Sequence, residues 1–179
     1  MKRYVALLRG INVGGRNKIS MKDLTQYMQE LGFIDVCTYL NSGNVIFSTE
    51  ETDHLAMQEA ISISIKDHLA LEIPVLVIAL EDLENKLQHA PEWWGNDDKS
   101  IYDNLICLFP DISYDFFYQE VGDPNDAIEK VEHYDQVVFW SFSRKEYNKS
   151  TWWKKTASSE IASKITIRTA NTIRNILKK

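Results

Sequence analysis

The sequence predicts an α+β protein built of two ferredoxin-like subdomains in tandem, each of the order β-α-β-β-α-β, with helices packed on antiparallel sheets. Three observations predict it. Over residues 1–80 the apolar residues switch between strand and helix spacing in the order β-α-β-β-α-β. Within that stretch Asn41-Ser42-Gly43-Asn44 separates two short apolar runs and has the composition of a hairpin turn. The same order recurs, less marked in each element, over residues 101–179, after a connecting helix and irregular segment over 81–100.

The elements follow in order. Tyr4, Val5, Leu7 and Leu8 form a short apolar run suited to a buried strand over 3–9. Residues 10–19 hold three of the seven glycines and predict a loop. Ser20 is placed to cap a helix, with Asp23 three residues on, and Met21, Leu24, Tyr27, Met28 and Leu31 recur at helical spacing. Gly32 stands where that helix should stop. Strands over 36–40 and 45–47 flank the turn, and a helix over 53–69 carries Leu55, Ile61, Ile65 and Leu69 on one stripe. The run 73–80 is a strand, with Pro74 at its start where a strand tolerates it. A short helix over 81–89 leads to an irregular stretch around Trp93-Trp94-Gly95. Beyond it come a strand (105–109), a short helix (113–119), a hairpin (128–133 with 136–142), a helix (151–164), a short strand (165–168) and a closing helix (170–177).

Composition excludes several classes. With 44% apolar and 26% charged residues the chain is neither disordered nor fibrous. Its longest apolar runs fall far short of the ~20 residues that span a bilayer, so no membrane partner is expected. The N-terminal apolar stretch ends after five residues at Arg9, without a small-residue cleavage site, which argues against secretion. Cys37 and Cys107 lie in separate strand segments without metal-ligand spacing, predicting two buried free thiols in a reducing, cytoplasmic compartment and no metal site. No cofactor motif is present.

Charge is unevenly placed along a chain of net −6. Residues 91–142 carry two lysines against twelve acids, a net of −10, and residues 143–179 carry ten basic residues against two acids, a net of +8. Either the basic end binds a polyanion or it folds back on the acidic segment. The acidic whole favours the second and disfavours nucleic acid as a partner. Tyr4 and Phe47 on strands one and three could in principle stack on bases, but no RNP consensus accompanies them. One member of each pair Trp93-Trp94 and Trp152-Trp153 should be more exposed than the other, while Trp140 reads as core. The oligomeric state is not legible.

In a split β-α-β unit the first two strands are parallel and the third lies between them. The glycine-rich loop after strand one and the 41–44 turn after strand two should therefore meet at one sheet edge. That gathers Arg9, Asn12, Gly14, Gly15, Arg16, Asn17 and Lys18 with Asn41, Ser42, Gly43 and Asn44. Glycines let backbone N–H groups approach a ligand, Arg and Lys supply positive charge, and asparagines offer paired donors and acceptors. A small anion, phosphate- or carboxylate-bearing, would suit this set. The loop matches neither the dinucleotide fingerprint nor the P-loop, since Arg16-Asn17 stands where Lys-Ser or Lys-Thr is required. The same residues also suit a purely structural loop in which asparagine and glycine satisfy their own turns. Further along, Arg168 stands just before the predicted closing helix and Asn171 in its first turn, where an anion is favoured. They could join the site, or Arg168 could pair with an upstream acid.

Tyr4-Val5-Ala6-Leu7-Leu8-Arg9-Gly10-Ile11-Asn12-Val13-Gly14-Gly15, followed by Asn17-Lys18 and by Asn41-Ser42-Gly43-Asn44-Val45, resembles a bacterial family of uncharacterised proteins, domain of unknown function number sixteen ninety-seven. Thr166-x-Arg168-Thr169-x-Asn171-Thr172 is similar to the family's Thr-x-Arg-Asn-x-Asn-Thr pattern, with Thr169 in place of Asn. The resemblance implies a bacterial cytoplasmic protein of two α+β subdomains and carries no assigned activity. No nucleophile elbow, metalloprotease motif or serine–histidine–acid grouping is legible, and His133 and Asp135 read as surface residues flanking a turn.

Overall fold

In the computed structural model, which describes residues 1–158 and 160–179, the chain divides into two compact units. The first comprises Met1–Glu84 with Asn175–Lys179, and the second Asn85–Arg174.

In the first unit β1 (Lys2–Leu8) is followed by α1 (Met21–Glu30), β2 (Ile34–Tyr39), β3 (Asn44–Thr49), α2 (His54–Leu69) and β4 (Val75–Ala79). The sheet order is β2-β3-β1-β4, with every neighbouring pair antiparallel. β1 and β2 therefore run parallel with β3 between them, the split β-α-β arrangement expected from the sequence. Ser20 caps α1 by accepting from Asp23 N at 3.0 Å. Gly32, at φ 86°, turns the chain out of the helix with its N–H on Gln29 O. Asp53 caps α2 by accepting from Leu55 N and Ala56 N.

One sheet face, with Tyr4, Ala6, Leu8, Val45, Phe47, Val75 and Val77, packs with Leu24 and Met28 of α1 and with Met57, Ile61 and Ile65 of α2. Each Val, Leu, Ile, Phe or Met side chain among them contributes roughly 1.5–3 kcal/mol of burial. Val5, Leu7, Ile46, Leu76 and Ile78, on the alternate positions, are buried too, so β1 and β4 read as unbroken apolar runs. Two expectations need correction. Leu55 is 60% exposed and Met57 takes its place in the core, because the buried stripe of α2 is set by Met57, Ile61 and Ile65. Leu40 lies outside β2 at φ 56°, since the turn that joins the strands is 40–43 and Asn44 already pairs with Tyr39.

The second unit repeats the order. α3 (Leu80–Leu87) spans the division between the units, and β5 (Ile101–Leu108), α4 (Tyr114–Val121), β6 (Glu129–Tyr134), β7 (Val137–Ser143), α5 (Thr151–Ser158), β8 (Ile165–Thr169) and α6 (Ala170–Leu177) follow. The antiparallel sheet has the order β6-β7-β5-β8. The helix expected over 151–164 is α5 followed by a 3-10 segment, Glu160–Lys164; Ser159 lies outside the described residues. Thr156 and Ser158 donate to the carbonyls four residues back, which competes with regular continuation. Trp140, Trp152, Phe117 and Phe142 form an aromatic core, with Phe117 edge-on to Trp152 at 5.2 Å and Trp140 4.8 Å from Phe142.

The basic end does fold onto the acidic segment in part. β8 pairs with β5, and Lys164 bridges Asp111. Trp94 and Trp152 are buried, Trp93 is half-buried and Trp153 is 43% exposed. The two thiols are unpaired, and Cys107 is buried as expected; Cys37 is only half-buried because β2 is an edge strand.

Candidate functional site

Two loops leave the same end of the first sheet, one after β1 and one after β2. The 10–19 loop is folded on itself. Val13 and Arg16 bridge, with Arg16 N on Val13 O at 3.0 Å, around Gly14 and Gly15 at φ 58° and 74°. Two successive positive φ values are what a tight I′ turn needs, which side chains other than Gly and Asn resist. Asn12 and Asn17 also adopt positive φ, 54° and 48°.

The amides of Asn12 and Asn17 are committed to main chain. Asn17 Nδ2 donates to Gly10 O at 2.9 Å. Asn12 Oδ1 accepts from Ile19 N at 2.9 Å, and its Nδ2 donates to Ile19 O at 3.0 Å and to Asn41 O at 2.7 Å. Asn12 thus clamps the loop to the hairpin turn across twenty-nine positions of sequence. Asn44, fully buried, donates to Tyr39 O at 2.8 Å and to Ser42 Oγ at 3.0 Å, holding the turn closed. Gly43 packs so near β1 that a Cβ there would lie 2.7 Å from Leu8 Cβ and 2.9 Å from Ile11 Cδ1; Leu8 N donates to Gly43 O at 2.9 Å.

Between these loops is a shallow depression of about 390 Å³, lined by Asn12, Gly15, Lys18, Ile19, Ser20, Met21 and Asn41. It ends at the N-terminus of α1, whose first N–H groups and dipole favour negative charge. Lys18 and Arg16 are exposed and form no ion pair among the described residues. Arg9, half-buried, does not line the depression, and burial draws its guanidinium below the ordinary value. Gly14, Asn17, Ser42, Gly43 and Asn44 shape the loops without lining the depression.

Arg168 and Asn171 belong to the second unit. Arg168, 9% exposed at the end of β8, donates to Ile167 O at 2.9 Å. Asn171 lines a larger cavity of about 650 Å³ together with Tyr102, Asp103, Arg144 and Arg174. Arg144 and Arg174 carry no local sequence pattern, because their partners Ile101 O and Gly95 O lie far along the chain; the irregular Trp94-Gly95 pair is the signal that points there. Among the described residues no three or more His, Cys, Asp or Glu are grouped to hold a metal, and no helix is long and apolar enough to cross a membrane.

Two tandem split β-α-β units, the first carrying a clamped glycine–asparagine loop, define a mixed α+β protein class without an evident catalytic group at that loop. The chain belongs to the family described as "Protein of unknown function (DUF1697)", whose model matches residues 1–139. The 166–172 motif lies beyond the matched residues. A solved structure, that of the conserved bacterial protein SP0830 from Streptococcus pneumoniae, is similar over 99% of this chain and 97% of its own, with a TM-score of 0.82 and 28% sequence identity. No curated protein matches the chain.

Proposed function

We propose that the protein binds a small anionic ligand, phosphate- or carboxylate-bearing, in the depression between the 10–19 loop and the 40–43 turn. One observation carries the reading: the Asn12 amide, at 2.7 Å from Asn41 O, fixes the two loops together while Lys18 at the rim has no ion-pair partner among the described residues. Lys18 neutralises the anion, and main-chain N–H groups at the start of α1 receive its oxygens. The amides of Asn12, Asn17 and Asn44 act as scaffold, while Asn41 lines the depression. No His, Cys, Asp or Glu is among the residues lining the depression, so this is a binding site without an assigned reaction. The nucleic-acid alternative loses support because Tyr4 and Phe47 are packed in the core of the first unit, 1% and 0% exposed. The strand orders support reading both halves as ferredoxin-like, and the two free thiols support a cytoplasmic location.

Melting temperatures measured with glycerol 3-phosphate, inorganic phosphate and succinate test the site. A ligand at 100 times its Kd stabilises the fold by about 2.7 kcal/mol. Lys18→Ala should weaken the best anion about tenfold or more, as expected for loss of a charge-assisted contact. Lys22→Ala, exposed on α1 and outside the lining, should not. No stabilisation of the native protein at millimolar anion, or equal binding by Lys18→Ala, would show the reading to be wrong.

A further inference from the structure

The larger cavity of the second unit is built around two arginines that are held in place without an acid. Arg144 lies over the Tyr102 ring, its Cζ 4.3 Å from the centroid, and donates through Nε to Ile101 O at 3.3 Å. Tyr102 is itself stacked on Phe142 at 5.5 Å. Arg174 lies over Trp94 at 5.8 Å and donates through Nη1 to Gly95 O at 2.6 Å. Trp94 is buried and anchored by its indole N–H on Asn104 O at 2.7 Å. A Cβ at Gly95 would fall 2.4 Å from Arg174 Nη2, so the seat of this guanidinium needs the glycine. An aromatic face and a carbonyl orient a guanidinium without neutralising it.

The same cavity is also lined by Asp97, Asp98 and Asp103, yet among the described residues neither arginine forms an ion pair with them. Asp98 accepts from Ser100 N and Oγ, and Asp103 accepts from Ser141 Oγ. Fixed cations and fixed carboxylates therefore share one space of about 650 Å³ without satisfying each other, a volume suited to a small metabolite. An occupant that satisfies both has an anionic end and several hydroxyl donors. We infer that this cavity is a second site, separate from the loop depression, for a phosphorylated sugar or polyol whose phosphate is received by Arg144 and Arg174 and whose hydroxyls donate to the carboxylates.

Titration calorimetry of the full chain with ribose 5-phosphate, ribose and inorganic phosphate tests this. Ribose 5-phosphate should bind about tenfold or more tighter than either fragment. Arg144→Gln and Arg174→Gln should each weaken it about tenfold or more, the loss of one charge-assisted contact. Lys145→Gln, which removes an exposed charge beside Arg144, should leave it unchanged. Melting temperatures of the unliganded variants show which are folded; should Arg174→Gln not fold, Arg144→Gln decides. The inference is overturned if ribose 5-phosphate does not bind at millimolar concentration, if inorganic phosphate binds as tightly, or if binding survives the arginine substitution. Binding abolished by Lys18→Ala but not by Arg144→Gln would overturn it while leaving the loop site standing.

Discussion

Glu129 is the side chain on which most of the second unit's polar interior converges. It is 3% exposed and accepts from Trp140 Nε1 at 3.2 Å, from Ser150 Oγ, from Asn125 N at 2.6 Å, and from the N–H groups of Thr151 and Trp152 at 3.2 and 3.3 Å. The last two open α5, so the carboxylate caps that helix from another strand. Glu129→Ala strands several buried donors at once and should cost about 3 kcal/mol or more. The urea midpoint at unchanged slope measures it, and a loss under about 1 kcal/mol would contradict the role. Nothing local marked this residue, because its donors come from positions 125, 140 and 150–152. Asn12 was different: a loop asparagine between glycines is legible as a turn former, although its reach to Asn41 needed the strand order.

At the scale of elements, the hairpin and the cap of α1 were readable and the interruptions were not. Asn41-Ser42-Gly43-Asn44 between β-branched and aromatic residues announces the β2–β3 hairpin and Ser20 the start of α1, whereas the cap of α2 by Asp53 is seen only in the structure. The one-residue displacement of the turn escaped, since Leu40 at positive φ is held there by the closure around Asn44 and Gly43. The break of α5 escaped because serine and threonine hydroxyls bonding to the preceding turn leave no apolar signature. The glycines of the loops separate by what surrounds them. Gly43→Ala meets both φ 91° and the wall of Leu8 and Ile11, and should cost about 2 kcal/mol or more. Gly10→Ala, at φ 72° with nothing near, should cost about 1 kcal/mol. Equal melting temperatures for the two variants would refute the close approach.

For the whole molecule, the repeated topology was visible because each half alternates strand and helix periods, while the function was not, since the groups that could hold ligands sit on loops whose meeting depends on that topology. Alkaline pH should expose the burial of the core. Burial pushes the Cys107 thiol from 9.0 to about 11, partly offset by Arg168, Thr166 and Lys86. The phenol of Tyr118, donating to Asp123, is pushed from 10.0 to about 12. Both groups hold their protons longer folded than unfolded, so their stabilisation is complete below pH 9 and declines as pH rises towards 12. Cys107→Ala and Tyr118→Phe should each flatten the fall in urea midpoint over that window; an unchanged slope in both would contradict it.

All five tryptophans, Trp93, Trp94, Trp140, Trp152 and Trp153, lie in the second unit. Indole emission therefore arises from the second unit alone, whereas far-ultraviolet dichroism registers both. Gly43→Ala, a substitution in the first unit, should shift the dichroism curve, and any shift of the emission curve is measured beside it. The emission displacement is a direct optical gauge of how much free energy the two halves share.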